Sequence, residues 1–403
     1  MRFVTDLSRG ILGKPDSREL WEEIVSHIPD EVFLKPDVKI LCVAAGHGTE
    51  ADVIVARMRR LGCSINDIKN SIYLLDKYSV FVNEAIRKGY VHVIKADFLD
   101  WTSNMKFDLI LANPPYNDEH NSGNALWSQF VMKTDSMLSE KGYSAYIVPG
   151  RWVLPGVNIN KGKIRIWDEI ISKKNTISIN HGKCSDYFPN IGSDLDYFSY
   201  FIYSNEPNKG ITQLSNRLGN FTINTSKLKW LPYKNANYLS ISIVSKINSK
   251  TTDIFDLSWK YEQRKKKLTD NGIYPIFTGR DSDLNPIIKY SDEMCSMQNN
   301  PKIIFKLGRF MNYDRRIYID YTGEIGFNSA YVITINKDEN YDYLQSKIYR
   351  FLGMCLFNGS EITADGYRVL PKLPNRKRWS DSDLYNYFNL TQEEIDYIES
   401  NIK

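Results

Sequence analysis

From Phe107 to Ala112 every position but Asp108 is apolar, and the run stops abruptly at Asn113-Pro114-Pro115-Tyr116. Such a stretch predicts a strand buried on both faces, as in a parallel sheet. The two prolines end it, because neither can donate a ladder hydrogen bond and each fixes φ. Three similar runs precede it. Val38 to Val43 predicts a first strand that enters the small-residue turn Ala44-Ala45-Gly46-His47-Gly48, after which Val53, Ile54 and Met58 recur at helical spacing. Ile72 to Leu75 predicts a second strand ending at Asp76 and Lys77. A helix around Val80, Phe81, Ala85 and Ile86 follows, then a third strand from Val91 to Ile94, which leads to Asp97 and Phe98. Ahead of them all, Asp16 as N-cap, Glu19, and the face formed by Leu20, Ile24, Val25 and Ile28 predict an opening helix. Short apolar strands alternating with helical patterns predict an α/β domain built on a mostly parallel sheet with helices on both faces.

Beyond the double proline, Leu126, Phe130, Val131, Thr134 and Leu138 trace one helical face, and Lys141-Gly142 is expected to end that helix. Strands are predicted at Tyr143 to Val148, Ile177 to Ile179 and Tyr197 to Ile202. From Ser204 to Asn216 the chain turns polar and is expected to form a loop, so the division into domains is placed there. This gives a first domain at residues 1–208, a second, α+β domain at 209–380, and a helical tail at 381–403 opened by Ser380-Asp381 and by a capping box from Thr391 to Glu394.

Composition changes this picture in one place. A chain of 403 residues with 42% hydrophobic and 25% charged residues is ordinary for a globular protein of two domains. No apolar stretch reaches the roughly 18 residues of a membrane span and no signal-peptide core is seen, so a cytoplasmic protein without a membrane partner is expected. Five scattered cysteines with no CxxC pair support neither a disulfide framework nor a zinc site, and five histidines without HExxH argue against a metal hydrolase. The net charge of +4, however, is unevenly divided. Residues 211 to 380 carry 26 Lys and Arg against 16 Asp and Glu, a net of +10, which leaves −6 for the rest. That asymmetry suits a polyanion-binding module joined to a more acidic one, although a lysine-rich solvated surface would look the same.

Candidate chemistry collects at the strand ends. Glycines in the first turn let a ligand approach the backbone, but the third glycine of a dinucleotide fingerprint is missing. Asp76 is placed to accept ribose hydroxyls, Asp97 to accept from an exocyclic amine, and Phe98 to stack on a purine. Asn113 and Pro114 offer carbonyl acceptors, and Tyr116 a flat ring, a set that can hold a planar amine. Each feature alone could be a structural turn or cap. Four successive strand ends bearing them are harder to dismiss.

In that order, Ala44 to Gly48, Asp76, Asp97-Phe98 and NPPY, residues 38 to 116 resemble the core of S-adenosylmethionine-dependent amino-methyltransferases. NPPY is similar to the motif of enzymes that methylate N6 of adenine, and the order with a long C-terminal extension is similar to the gamma group of DNA adenine methyltransferases of restriction-modification systems. The resemblance implies a Rossmann-like class I methyltransferase domain followed by a target-recognition domain. It implies S-adenosyl-L-methionine as cofactor, held by Ala44, Ala45, Gly46 and Gly48 at its methionine part, by Asp76 with Lys77 at the ribose, and by Asp97 and Phe98 at the adenine. Asn113, Pro114, Pro115 and Tyr116 match the catalytic loop, and Phe188 is the candidate that packs on a flipped base, or else a core aromatic. Double-stranded DNA is the implied partner. The protein would act as a modification methylase beside a cognate restriction endonuclease, or as a solitary or phage methylase. Basic residues interleaved with aromatics in the second half, Arg264, Lys265, Lys266, Lys267, Arg280, Lys306, Arg309, Arg315 and Arg316, suit phosphate and guanine contacts. RNA adenine and protein glutamine remain alternative substrates, as does a DNA-binding homologue impaired in catalysis. One departure stands out. Cys42 occupies the place where the family usually carries an acid, and Glu50 or Asp52 is the candidate replacement.

Overall fold

In a computed structural model the described residues are 18–116, 126–155, 165–187, 198–250, 268–295, 297–306, 313–328, 330–357, 366–367, 369–375 and 378–402. They fall into two units. The first comprises Met1–Trp152 and Val157–Lys229, and the second Val153–Gly156 and Trp230–Lys403.

The first unit begins with helices α1 (Arg18–Ser26) and α2 (Asp30–Phe33), followed by β1 (Ile40–Val43) and α3 (Thr49–Arg60). Next come α4 (Ile65–Ser71), β2 (Ile72–Asp76), α5 (Ser79–Arg87), β3 (His92–Lys95) and β4 (Phe107–Ala112). Helix α6 (Trp127–Met137) leads into β5 (Leu138–Pro149), β6 (Lys174–His181), β7 (Phe198–Pro207), β8 (Thr212–Asn216) and β9 (Gly219–Ile223). The strands form one sheet in the order β3-β2-β1-β4-β5-β7-β6-β8-β9. Its first five strands are parallel neighbours, and β7 inserts antiparallel between β5 and β6. This is the Rossmann-like α/β architecture with a mostly parallel sheet that the sequence predicts.

β4 lies at the centre of the parallel part, between β1 and β5, and all six of its residues are buried. Alternate residues serve opposite faces. Leu109 and Leu111 join Ile40, Cys42, Ala145 and Ile147 in a core closed by Leu20, Trp21 and Ile24 of α1 and Ala51, Ile54 and Met58 of α3. The single polar residue of the strand, Asp108, accepts from Lys35 Nζ (2.6 Å), Lys39 N (3.0 Å) and Ser139 Oγ (2.9 Å). Burial pushes its carboxyl up, but these donors outweigh it and hold the group below the usual carboxylate range.

Two expectations are corrected here. The stretch from Ser204 to Asn216 is not a loop, because β7 runs on to Pro207 and β8 pairs with β6. Its Thr212, Leu214 and Asn216 are buried while Gln213 and Ser215 are not, a period-two pattern disguised by polar residues such as Thr212, whose hydroxyl donates to the Thr176 carbonyl of β6 and meets Thr225. The first unit therefore extends to Lys229. The helix after NPPY stops at Met137, and the sequence through Lys141-Gly142 is already strand.

The second unit is α+β. It contains helix α7 (Tyr238–Lys250), a three-stranded sheet of β11 (Pro286–Ser291), β10 (Tyr274–Arg280) and β14 (Gly326–Phe327) in that order, and another of β13 (Ile317–Asp320), β12 (Lys302–Lys306) and β15 (Ala330–Thr334) in that order. Phe277, Ile304, Phe327 and Val332 share a core. A fully buried ion pair joins Lys302 Nζ and Asp320 Oδ2 at 2.7 Å. The C-terminal helices, α8 (Lys347–Leu356), α9 (Asp381–Tyr387) and α10 (Gln392–Asn401), pack together, and Glu394 of α10 accepts from Ser242 Oγ and Lys246 Nζ of α7. The capping box expected at Thr391/Glu394 forms, and a second forms at Ser380/Asp383. No helix among the described residues is long and apolar enough to cross a membrane.

Candidate functional site

The carboxyl ends of β1 to β4 lie side by side because those strands are parallel neighbours. After β1 the chain turns through Ala44, Gly46 and Gly48, all at positive φ (52°, 52° and 73°). A side chain at Gly48 would be strained at that φ and would also press on Leu74 at 3.2 Å, so this turn depends on glycine where it meets β2. Asp76, at the tip of β2, fastens the turn. Its Oδ2 accepts from Gly46 N (2.9 Å) and its Oδ1 from Tyr78 N (2.8 Å). Burial raises the Asp76 pKa, opposed by those two N–H groups and by Lys77. Ala96 N donates to the Asp76 carbonyl (3.1 Å) and so brings the end of β3 against it.

These ends line one shared cleft. Ala44, Asp76, Lys77, Asp97, Phe98 and Pro115 line it together, one or more from each of the four strand ends. Phe98 is 3% exposed, packs on Phe130 (5.1 Å between ring centroids) and receives Lys133 Nζ at 5.2 Å from its ring centre. Asp97 Oδ1 accepts from Leu99 N at 3.0 Å, which fixes the loop. Sequence reasoning missed Tyr78, Leu99, Leu126 and Phe130 as lining residues. Leu126 and Phe130 were readable as an apolar helical face, and the signal that they faced a ligand was the position of that helix directly after the proline turn. Nothing in the sequence marks Tyr78 or Leu99.

The NPPY loop presents a half-buried Asn113, a buried Pro114, and a Tyr116 whose hydroxyl donates to Asn113 Oδ1 at 3.1 Å. The Tyr116 ring lies 5.5 Å from that of Phe198 at the start of β7.

Ala45, Gly46, Gly48 and Glu50 do not line the cleft. Cys42 is fully buried, its thiol pushed up by burial and by the fields of Glu50 and Asp52. Glu50, in the first turn of α3, therefore stands electrostatically close to the place of the missing acid. Asp52 is engaged elsewhere, by Lys88 Nζ (2.8 Å) and Tyr90 OH (2.6 Å). Glu50 is 6% exposed, and burial, then the fields of Asp76 and Asp52, raise its pKa from 4.5 to about 8 against the pull of its own N–H and Lys88. The folded protein thus keeps a proton that the unfolded chain releases near 4.5, so stability falls as the pH rises across that interval and levels off above it. Glu50→Gln, which never ionises, is expected to melt about 4 °C or more above the wild type at pH 9 and within about a degree of it at pH 5, taking roughly 2 kcal/mol as the share that survives relaxation. Parallel melting curves for the two proteins at both pH values would refute the burial of a titrating carboxyl.

Phe188, Arg264, Lys265, Lys266, Lys267 and Arg309 lie outside the described residues. Among the other cations of the second unit, Arg316 is fully buried and cannot reach a phosphate from where it stands. Arg280 donates to the carbonyls of Ile317 (3.2 Å) and Leu284 (2.5 Å), which holds a turn. Lys306 is partly exposed, and its pKa is lowered by burial and by Arg316. Arg315 is likewise partly exposed. Among the described residues no group of three His, Cys, Asp or Glu could hold a metal ion.

Residues 57–188 match the family model of the Eco57I restriction-modification methylases. A curated Mycoplasma pneumoniae protein, described as an uncharacterized adenine-specific methylase, is 28% identical over 119 residues, 26% of this chain and 27% of its own length. The match thus spans about a quarter of that relative. Among solved structures, a modification subunit ascribed to a type I restriction enzyme of Vibrio vulnificus YJ016 is similar over 53% of this chain and 49% of its own, at 17% identity and a TM-score of 0.39. The M protein of the type I restriction enzyme EcoKI is similar over 53% and 50%, at 11% identity and a TM-score of 0.36. The fold assignment rests on the strand order itself.

Proposed function

We propose that this chain is a methyltransferase of the restriction-modification type that methylates N6 of adenine in duplex DNA, using S-adenosyl-L-methionine. The observation that carries the reading is the cleft to which Ala44, Asp76, Asp97 with Phe98, and Pro115 all contribute. The match to the Eco57I methylases and the name of the Mycoplasma relative support it.

The residues present fit the cofactor. Asp76 would take the ribose hydroxyls, Asp97 and Phe98 the adenine, and the glycine turn the methionine part, whereas Glu50, buried, outside the cleft lining and protonated up to about pH 8, is not available to the ammonium as an ionised acid in place of Cys42. The bound cofactor would supply an electrophilic methyl group on a sulfonium. The chain's own work is on the amine. Extruding an adenine from a duplex costs a few kcal/mol. Stacking on Tyr116, and on Phe188 as a further proposed wall, returns about 1–3 kcal/mol per aromatic contact. Asn113 Oδ1 and the Pro114 carbonyl would each accept one amine N–H. Holding both protons directs the nitrogen lone pair away from them and stabilises the positive charge that grows on nitrogen as the N–C bond forms. No strong base is needed before attack, and the surplus proton leaves to solvent afterwards. Since Tyr116 donates to Asn113 Oδ1 here, the arriving amine would displace or share that bond.

The second unit would present duplex DNA, with Lys306, Arg315 and the basic run Arg264 to Lys267 on phosphates, although Arg316 is withdrawn from that set by its burial. Incubation with radiolabelled cofactor and either duplex DNA from a methylation-free host, RNA, or bacterial protein tests the proposal. Label is expected in DNA, and long-read sequencing should place it on adenine in one sequence context. Label in RNA or in glutamine side chains instead would overturn the substrate, and no label with undetectable cofactor binding would point to a DNA-binding module without catalysis.

A further inference from the structure

One carboxylate outside the cleft gathers an unusual set of partners. Glu23, on α1, accepts from Tyr200 OH (2.7 Å) and Asn180 Nδ2 (3.2 Å) on Oε1, and from Tyr187 OH (3.0 Å) on Oε2. His27 Nε2, one turn further along α1, lies 3.3 Å from the same Tyr200 hydroxyl. Among the described residues no lysine or arginine lies within ion-pair distance of Glu23. A half-buried carboxylate that serves three neutral donors forgoes the attraction of a counter-charge. What it provides is directional, since its two oxygens fix three side chains from three segments of the sheet's second half.

These side chains connect to the proposed base site through Phe198 and a shared core cluster. Tyr200 is two residues beyond Phe198 on β7, so both point to the same face, and Phe198 is the ring that packs on Tyr116 of the NPPY loop at 5.5 Å. Tyr187 closes the segment that enters residue 188, and it packs on the same core cluster as Tyr116. Asn180 is fully buried in β6, where it pairs with Tyr200 across the ladder.

We propose that Glu23 is a positioning residue for the target base. It ties α1 to the β7 and 183–187 side of the pocket, and it thereby sets the Phe198 ring against which Tyr116 is held. This rests on reading Tyr116 as the surface on which the base stacks. It also gives the opening helix a role that its sequence, an amphipathic face with a glutamate on the flank, does not disclose.

The test uses the full chain with Glu23→Ala, Glu23→Gln and Tyr187→Phe, the last of which removes one hydroxyl and leaves the ring packing in place. Methyl transfer to duplex DNA is measured at varied DNA and at varied cofactor. Extrusion of the base is followed by the fluorescence of 2-aminopurine placed at the target position once that is mapped. The expected result is a loss of about 10-fold or more in kcat/KM for DNA with Glu23→Ala, a smaller loss with Glu23→Gln and Tyr187→Phe, and a reduced 2-aminopurine signal. Cofactor Kd and melting temperature of Tyr187→Phe should match the wild type. Wild-type kcat/KM for DNA in Glu23→Ala would overturn the inference alone. So would a parallel loss of cofactor affinity, melting temperature and DNA activity in all three variants, because it would show a merely structural role. Failure of the wild type itself to methylate DNA would overturn the underlying reading, and the inference with it.

Discussion

Asn113→Ala is expected to lower methyl transfer to duplex DNA by at least about 10²–10³-fold, the loss typical of deleting one preorganised hydrogen-bonding group that meets transition-state charge. Cofactor affinity measured by calorimetry should stay within about twofold, because Asn113 does not line the cleft shared by Asp76, Asp97 and Phe98. The variant also deletes the acceptor of the Tyr116 hydroxyl, so the ring could relax toward Phe198. Tyr116→Phe isolates that effect. It removes the same hydrogen bond but keeps the ring and the amide, and it should therefore retain most of the activity that Asn113→Ala loses. If the two variants were equally impaired, the tyrosine hydroxyl would matter more than the amide carbonyl and the assigned role of Asn113 would fail. An active Asn113→Ala would remove the proposed chemistry altogether.

That argument was reachable from sequence because β4 is a short strand, apolar but for Asp108, with an unmistakable stop. The same holds for β1 and β2, whose ends carry Gly46 and Asp76. Where a strand's residues satisfy the sheet with hydroxyls and amides, the apolar signal disappears. Thr212 to Asn216 is such a strand, and it was read as a loop for that reason. Burial of charge was also invisible. Arg316 sits beside a tyrosine- and isoleucine-rich strand, a setting that suits a DNA-facing surface as well as it suits the core it occupies. Glu50 shows the converse. The sequence offers it, with Asp52, as a substitute acid for the place of Cys42, but only the structure reveals that the carboxyl is buried and holds its proton to about pH 8. The network at Glu23 joins residues more than 150 positions apart in the chain, so no local pattern announces it.

Asp76→Ala is the variant expected to weaken the cofactor most. The carboxylate has two tasks in the structure. It accepts from Gly46 N and Tyr78 N, which fixes the β1 turn to the β2 tip, and it lines the cleft where the ribose hydroxyls are proposed to bind. Hydrogen bonds to a charged group contribute about 1.5–3 kcal/mol each, so losing the ribose contact together with the ordering of the turn should raise the cofactor Kd by roughly 10²-fold or more. Asp76→Asn separates the tasks. One carbonyl oxygen remains to accept from a backbone N–H, while the NH2 group cannot, and its affinity should fall between those of the wild type and Asp76→Ala. The pH dependence supplies a second readout. Because burial raises the Asp76 pKa, the carboxylate is neutralised at a higher pH than an ordinary aspartate, and cofactor affinity should weaken on acidification before an exposed carboxylate would titrate. Asp76→Ala should lack that weakening. A wild-type Kd in Asp76→Ala would place the ribose elsewhere and leave Asp76 as no more than the pin between two strand ends.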